Sequence, residues 1–256
     1  ALLYVSGSYA PPMTFTHEGL AVEWLGDATT RVASDDAVAY VDPGRYGVLT
    51  GEWGPPSEAS RGAHPPSRDS RPEDGDVVFV THRHHYDPDG IRRVARADAT
   101  LVVFEGIDVH ATDRTDVRPA DLSYDVRRVG TETQGVAAGV PFWTVPAYNR
   151  PHGPHTRPDG SPIHPEGTGC GYLIAVDGTR IFYPGDSDVL DGHAALDVSL
   201  FLPSIDDTYS MGGESAVGLA AEMSPDLVCP VQYNTFGGLE ADSRAFAGAV
   251  ASRGVP

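Results

Sequence analysis

Three histidines and two aspartates fall within eight residues, in the run Thr81-His82-Arg83-His84-His85-Tyr86-Asp87-Pro88-Asp89-Gly90. Neutral imidazoles and carboxylates are donors that suit Zn2+, Mn2+ or Fe2+. A lone histidine in a polar loop would carry no such implication; three beside two carboxylates do. Two further segments place similar groups after apolar runs: His164 in IHPEGTGCGY, and Asp186 in FYPGDSD. A catalytic metal takes about three protein ligands and leaves one position open for water. His82, one of His84 and His85, His164 and Asp186 meet that need.

Such donors must be held by strands, and the sequence provides them. Residues 76–81 (DVVFVT) form a continuous apolar run of the kind buried on both sheet faces, so the histidine cluster begins at a strand end. Residues 20–26 (LAVEWLG) alternate as a strand, with 37–42 (AVAYVD) as the expected hairpin partner. Residues 51–76, rich in Pro, Ser, Gly and charge, read as a long surface loop. A short helix is expected over 89–97 and a buried strand over 100–105. Residues 108–140 are polar and weakly patterned, and predict short strands and turns. Further strands are expected over 141–148, 171–176, 180–185, 197–203 and 226–233. Asp177-Gly178 marks a hairpin turn. Helices are expected over Glu214–Met223 and 239–252. This order predicts an α/β (α+β) fold with two sheets and helices outside, in one domain over 13–256. Residues 1–12 read as an N-terminal extension before a start at Met13.

Composition narrows the function. The 256 residues carry 36 acidic and 18 basic side chains, for a net charge of −18. Nucleic-acid binding needs a basic stripe, so a nucleic-acid partner is not expected. Anionic membrane surfaces are disfavoured equally, and no apolar run approaches the roughly 20 residues of a membrane span. All eighteen basic residues are Arg, and 25 of the acids are Asp. Charge of this density self-repels unless salt screens it, so a salt-rich cytoplasm of the haloarchaeal kind is expected. Cys170 and Cys229 are far apart and belong to no CxxC pair, as in a reduced intracellular protein.

From Leu20 onward the chain resembles the metallo-β-lactamase superfamily. Within it, the chain is most similar to the ascorbate-6-phosphate lactonase-like hydrolases. The resemblance rests on WLGDAT (24–29), VDP (41–43), FVTHRHHYD (79–87), VPAYN (145–149), HPEGTGCGY (164–172), FYPGDSD (182–188) and CPVQYNTF (229–236), in that order. It implies a four-layer αββα sandwich with a metal site at one edge, between the two sheets. It also implies a first metal on His82, His84 or His85, His164 and Asp186, with Zn2+ the expected ion. The second metal of the family maps to Asp87, Pro88, Asp186 and Gln232. Pro88 and Gln232 stand where that pattern has histidines, and Asp27 stands where relatives often have one. What remains is an oxygen site of Asp87, Asp186, the Gln232 amide and Asp89, suited to Mn2+ or Mg2+ and weakened.

On this reading a metal-activated water attacks an ester, lactone or phosphoester of a small molecule. Asp87 is the expected catalytic group, orienting that water or taking its proton. Tyr148, Asn149 and Tyr233 are candidate substrate contacts. His152 and His155, with Arg150 and Arg157, lie in a Pro-rich loop that could cap the site. The competing expectation is a degenerate relative that binds a metal or small ligand without turnover.

Overall fold

The computed structural model describes residues 13–256; the expected extension over 1–12 lies outside the described residues. The first sheet runs β1 (Met13–His17), β2 (Leu20–Gly26), β3 (Thr29–Ala33), β4 (Val38–Val41), β5 (Gly75–Val80), β6 (Ala95–Phe104) and β7 (Asp125–Val129), in that spatial order. β1 to β4 are antiparallel neighbours, whereas β4 to β7 are parallel. The second sheet contains β8 (Gln134–Ala137), β9 (Val140–Pro146), β10 (Cys170–Val176), β11 (Thr179–Tyr183), β12 (Leu200–Phe201) and β13 (Leu227–Val228). Four helices accompany them: α1 (Glu58–Arg61), α2 (Pro88–Val94), α3 (Gly212–Met223) and α4 (Ser243–Ser252).

The sheets pack face to face through β5 and β10. Val77, Val78, Phe79 and Val80 are fully buried, as a continuous apolar run requires. Phe79 meets Tyr172 at 4.9 Å and Phe142 at 5.7 Å between ring centroids. Tyr172 donates its hydroxyl to the Val80 carbonyl at 3.1 Å, so the buried phenol is satisfied. The result is the mixed α/β architecture of two sheets and few helices that the order of elements predicts.

Several local expectations need correction. β4 is not the hairpin partner of β2, because β3 lies between them. Asp27, at φ 49°, makes the tight turn that returns the chain directly into β3. Thr29 and Thr30 of that short strand are both buried. The 51–76 segment is not simply surface: His64 is buried and stacks on Trp53 at 3.9 Å. α2 starts and ends earlier than expected, because Asp87 caps it and β6 begins at Ala95. The expected strands over 197–203 and 226–233 shrink to the two-residue pairs β12 and β13.

One edge of this frame collects the polar strand ends. β4 ends before Asp42, β5 before Thr81 and His82, β11 before Asp186, and β13 before Gln232. The His82–Gly169 bridge and the Cys170 N–H to Thr81 carbonyl bond (3.1 Å) tie the two sheets together there.

Candidate metal centre

The turn after β5 sets the first donors. His85 N–H closes on the His82 carbonyl at 3.2 Å, which keeps three imidazoles in one short loop. Asp42 organises them from beneath. Its buried carboxylate accepts from Thr81 N–H at 2.8 Å and from Thr81 Oγ1 at 2.7 Å. Thr81 Oγ1 then lies 2.9 Å from His82 Nδ1, and Asp42 Oδ2 lies 2.8 Å from His85 Nδ1. Each ring is thereby held by Nδ1 with Nε2 turned toward Asp186, the way carboxylates orient ligating histidines.

His82, His84 and His164 present donor atoms within 4.8 Å of one another, and so do His82, His85 and Asp186. Asp186 stands at the centre. Its Oδ2 lies 3.5 Å from His82 Nε2 and 3.4 Å from His164 Nε2, and its Oδ1 lies 3.7 Å from His85 Nε2. Gly185 makes this possible. At φ +65° it adopts a backbone that favours glycine, and a Cβ there would meet the Cys170 carbonyl at 3.0 Å. His84 and His85 thus both face the centre.

His82 Nε2 is buried without any hydrogen-bond partner. A buried donor or acceptor left unmade costs about 1–3 kcal/mol, so an orphan aimed at a carboxylate points to a missing cation. His84 Nδ1 sits 3.1 Å from His164 Nε2, while its Nε2 accepts from Arg83 Nε at 3.3 Å. Two ring nitrogens this close share a single proton, and a cation held here would replace it. Three imidazole nitrogens with a carboxylate fit a divalent metal of the zinc type.

The charges agree. Burial lowers the His84 pKa to about 3, helped by His82 and His164, and lowers His164 to about 4. Burial also pushes His82 down, so these rings are neutral and their lone pairs are available. Burial resists ionisation of Asp186, yet His85, His82 and His164 hold its carboxyl well below the usual range. For His85 burial opposes charge, but Asp186 and Asp42 outweigh it and raise the ring to about 9.

The structure does not bring every predicted residue here. Asp87 is the N-cap of α2: Oδ1 accepts from Asp89 N–H and Gly90 N–H, and Oδ2 accepts from Arg45 N–H at 2.8 Å. With both oxygens taken by backbone, it stands outside the donor cluster. Asp89 pairs with Arg93 at 2.6 Å, and Pro88 begins the helix. Gln232 does reach the centre, but as a donor: its Nε2 bonds Asp186 Oδ1 at 2.8 Å, and its Oε1 is buried without a partner. The four-oxygen second site is therefore not assembled.

The expected substrate contacts also move. Tyr233 is buried in the core and stacks on Trp24 at 4.5 Å. Asn149 is fully buried, accepting from His164 N–H at 2.8 Å and donating to the Tyr209 carbonyl at 3.0 Å. It positions the loop that carries His164. Tyr148 packs its backbone against Ser187 and does not line the cavity. His155 bonds Asp188 at 2.5 Å, Arg150 pairs with Asp191, and Arg157 stitches its own loop through the Pro162 and Ile163 carbonyls.

Sequence reasoning missed the true walls. A cavity of about 260 Å³ opens over the histidines, lined also by Asp27, Tyr46, Arg114, Tyr209 and Phe236. Asp27 is 1% exposed, its Oδ2 has no partner, and burial raises its carboxyl to about 6. The only sequence signal was its position after Leu25-Gly26. Arg114 and Tyr209 come from segments with no pattern at all.

Comparisons with known proteins converge on one family. Residues 21–232 match a beta-lactamase superfamily domain. A UPF0173 metal-dependent hydrolase of Archaeoglobus fulgidus is 27% identical over 246 residues, covering 92% of this chain and 93% of that protein. The structure of Igni18, a metallo hydrolase from Ignicoccus hospitalis, aligns with a TM-score of 0.61 at 21% identity, over 92% of this chain and 91% of that one. An isothiocyanate hydrolase from Delia radicum gut bacteria aligns with a TM-score of 0.59 at 13% identity, over 92% of each chain. The match across most of the chain, on a fold of two packed sheets with a histidine cluster at their shared edge, means that the protein belongs to the metallo-β-lactamase superfamily.

Proposed function

We propose that this protein is a metal-dependent hydrolase of a small ester, lactone or phosphoester. The observation that carries the reading is His82 Nε2, buried and unpartnered among His84, His164 and Asp186. Zn2+ suits that donor set, and about one metal per chain follows from the loss of the second oxygen site. A bound divalent ion supplies an activated water and polarises the electrophile. The chain's own residues do the rest. Asp42 and Thr81 keep His82 and His85 aimed. Asp27 Oδ2, the free carboxylate oxygen of the cavity, takes the proton of the attacking water in the role expected of Asp87. His85 holds a proton at Nε2 and donates to the oxygen on which charge develops. Tyr46, Tyr209 and Phe236 exclude bulk water from the reacting centre.

The lactonase-like branch supports a cyclic ester as the first substrate to screen. The acidic surface and the buried, unpaired Cys170 and Cys229 support a reducing, salt-rich cytoplasm with a small-molecule partner and no nucleic acid. The test is elemental mass spectrometry on protein purified in high salt without chelator, followed by hydrolysis of phenyl acetate and simple lactones. The expected result is about one metal per chain and hydrolysis that a chelator abolishes and Zn2+ restores. A chain that stays metal-free with added Zn2+ and Mn2+ overturns the reading and favours the degenerate binder.

A further inference from the structure

The chain carries twice as many acids as bases, yet not every arginine meets a carboxylate: the exposed Arg128 and Arg157 bond backbone carbonyls instead. Arg31, Arg93, Arg96, Arg118 and Arg180 all form ion pairs at 2.6–2.7 Å. Three arginines around the metal cavity do not. Arg45 donates from Nε to the His84 carbonyl at 2.7 Å and lays its guanidinium over Tyr46, 4.6 Å from the ring centre. Arg83 donates from Nε to His84 Nε2. Arg114, which lines the cavity, donates Nη1 to the His84 carbonyl at 3.0 Å and Nη2 to the Arg83 carbonyl at 2.7 Å.

Those two bonds fix the plane of the Arg114 guanidinium and use two of its five N–H donors. The other three have no partner among the described residues. Burial and the neighbouring Arg45 and Arg83 cations weaken its hold on its proton, which is the cost of gathering like charges. Such a cluster is stabilised once an anion arrives, and a planar fork suits carboxylate or phosphate. Between this fork and the histidines the cavity wall is aromatic and aliphatic: Tyr46, Tyr209, Phe236, Ile163 and Leu239. The volume of about 260 Å³ is below the ~300–1,000 Å³ typical of drug-sized ligands.

From this we infer that the substrate is a small anion, its carboxylate or phosphate held by Arg114 while a compact apolar body spans the aromatic wall to the metal centre. The inference rests on the hydrolase reading for the reaction, but its binding claim stands on the arginine alone. The test is calorimetric titration of the metal-loaded protein with benzoate, phenyl phosphate and neutral benzyl alcohol. The same titrations are made on Arg114→Gln and Arg118→Gln, with metal content measured for each. At least one of the two anions should bind, and benzyl alcohol at least tenfold more weakly. Arg114→Gln should weaken anion binding about tenfold or more at unchanged metal content. Whether benzoate or phenyl phosphate loses more identifies the oxyanion. Arg118→Gln removes the same charge from an exposed ion pair and should change nothing.

The proposal falls if neither anion binds, if benzyl alcohol binds as well as both, if Arg114→Gln binds as the parent does, or if Arg118→Gln weakens binding equally. Absence of phenyl acetate hydrolysis with Arg114-dependent anion binding would sink the hydrolase reading and leave this one standing. Hydrolysis with anion binding indifferent to Arg114 would do the reverse.

Discussion

Two hollows in this molecule invite comparison. The larger, about 600 Å³, lies on the face of β9 and β10 turned away from the first sheet, among Trp143, Leu173, Leu190, Leu196 and His193. The smaller, about 260 Å³, is the metal cavity. Size favours the first, and chemistry favours the second. Each has a buried histidine whose pKa burial depresses: His193 lines the first, and His82 stands behind His84, His164 and Asp186 at the second. His193 is satisfied: Nδ1 accepts from Leu190 N–H at 3.3 Å, and Nε2 lies 3.4 Å from the Pro146 carbonyl. His82 has one nitrogen tied to Thr81 and the other left without a partner beside a carboxylate. Burial alone therefore does not distinguish a structural histidine from a ligand. An unfilled bond with other donors converging on it does: His155 Nε2 is unpartnered too, but it belongs to no such cluster among the described residues, whereas His82 Nε2 faces His84, His164 and Asp186.

The strongest way to break this contrast is His164→Ala. Removing one of three converging imidazoles should cost the protein its metal, with activity falling by at least about 10³-fold. His193→Ala is the matched control and should keep the metal while losing stability. Equal metal content in both variants would erase the distinction. Asp27→Asn comes next. It preserves the shape of the cavity floor and removes the proton acceptor, so kcat should drop by about 10²–10⁴-fold with metal content unchanged. Asp87→Asn keeps a capping oxygen and should leave kcat nearly unchanged, whereas Asp87→Ala should cost about 1 kcal/mol of stability through loss of the helix cap. If kcat collapses in Asp87→Asn and survives in Asp27→Asn, the assignment of the base is wrong.

That pair of aspartates shows where the sequence was legible and where it was not. The continuous apolar run over β5, the Asp177-Gly178 hairpin and the convergence of His82, His164 and Asp186 as candidate donors could all be read, because each depends on local pattern or on residue type at a strand end. Asp87 was misread because a carboxylate before Pro88 serves equally well as a helix cap, and only the backbone N–H groups of Asp89, Gly90 and Arg45 decide between the uses. Asp42 was visible only as the end of the 37–42 strand and part of the VDP match, since its hold on Thr81 and His85 spans about forty positions of chain. Asp27 and Arg114 acquire meaning from the other side of the cavity. No periodicity records that, and Tyr148, Asn149 and Tyr233, equally polar at equally suggestive strand ends, do not line the cavity.

The smallest expected effect sharpens the comparison through pH. Burial lowers His193 from 6.5 to about 4 in the folded chain, and it lowers His64 to a similar value. The unfolded chain takes up the proton near 6.5, while the folded one resists until about 4. Each ring's contribution is thus complete above pH 6.5 and is lost as pH falls toward 4. For one such ring the linkage amounts to about 2 kcal/mol between pH 7 and pH 5. His193→Gln keeps a donor and an acceptor but cannot titrate. Urea unfolding of metal-free protein at those two pH values should therefore show a parent that loses about 2 kcal/mol more than the variant. His82→Gln should flatten the profile as well, but only it should also abolish metal uptake. A His193→Gln profile as steep as the parent's would mean that the ring is not kept neutral by its two backbone bonds, and the division between satisfied and unsatisfied histidines would lose its physical basis.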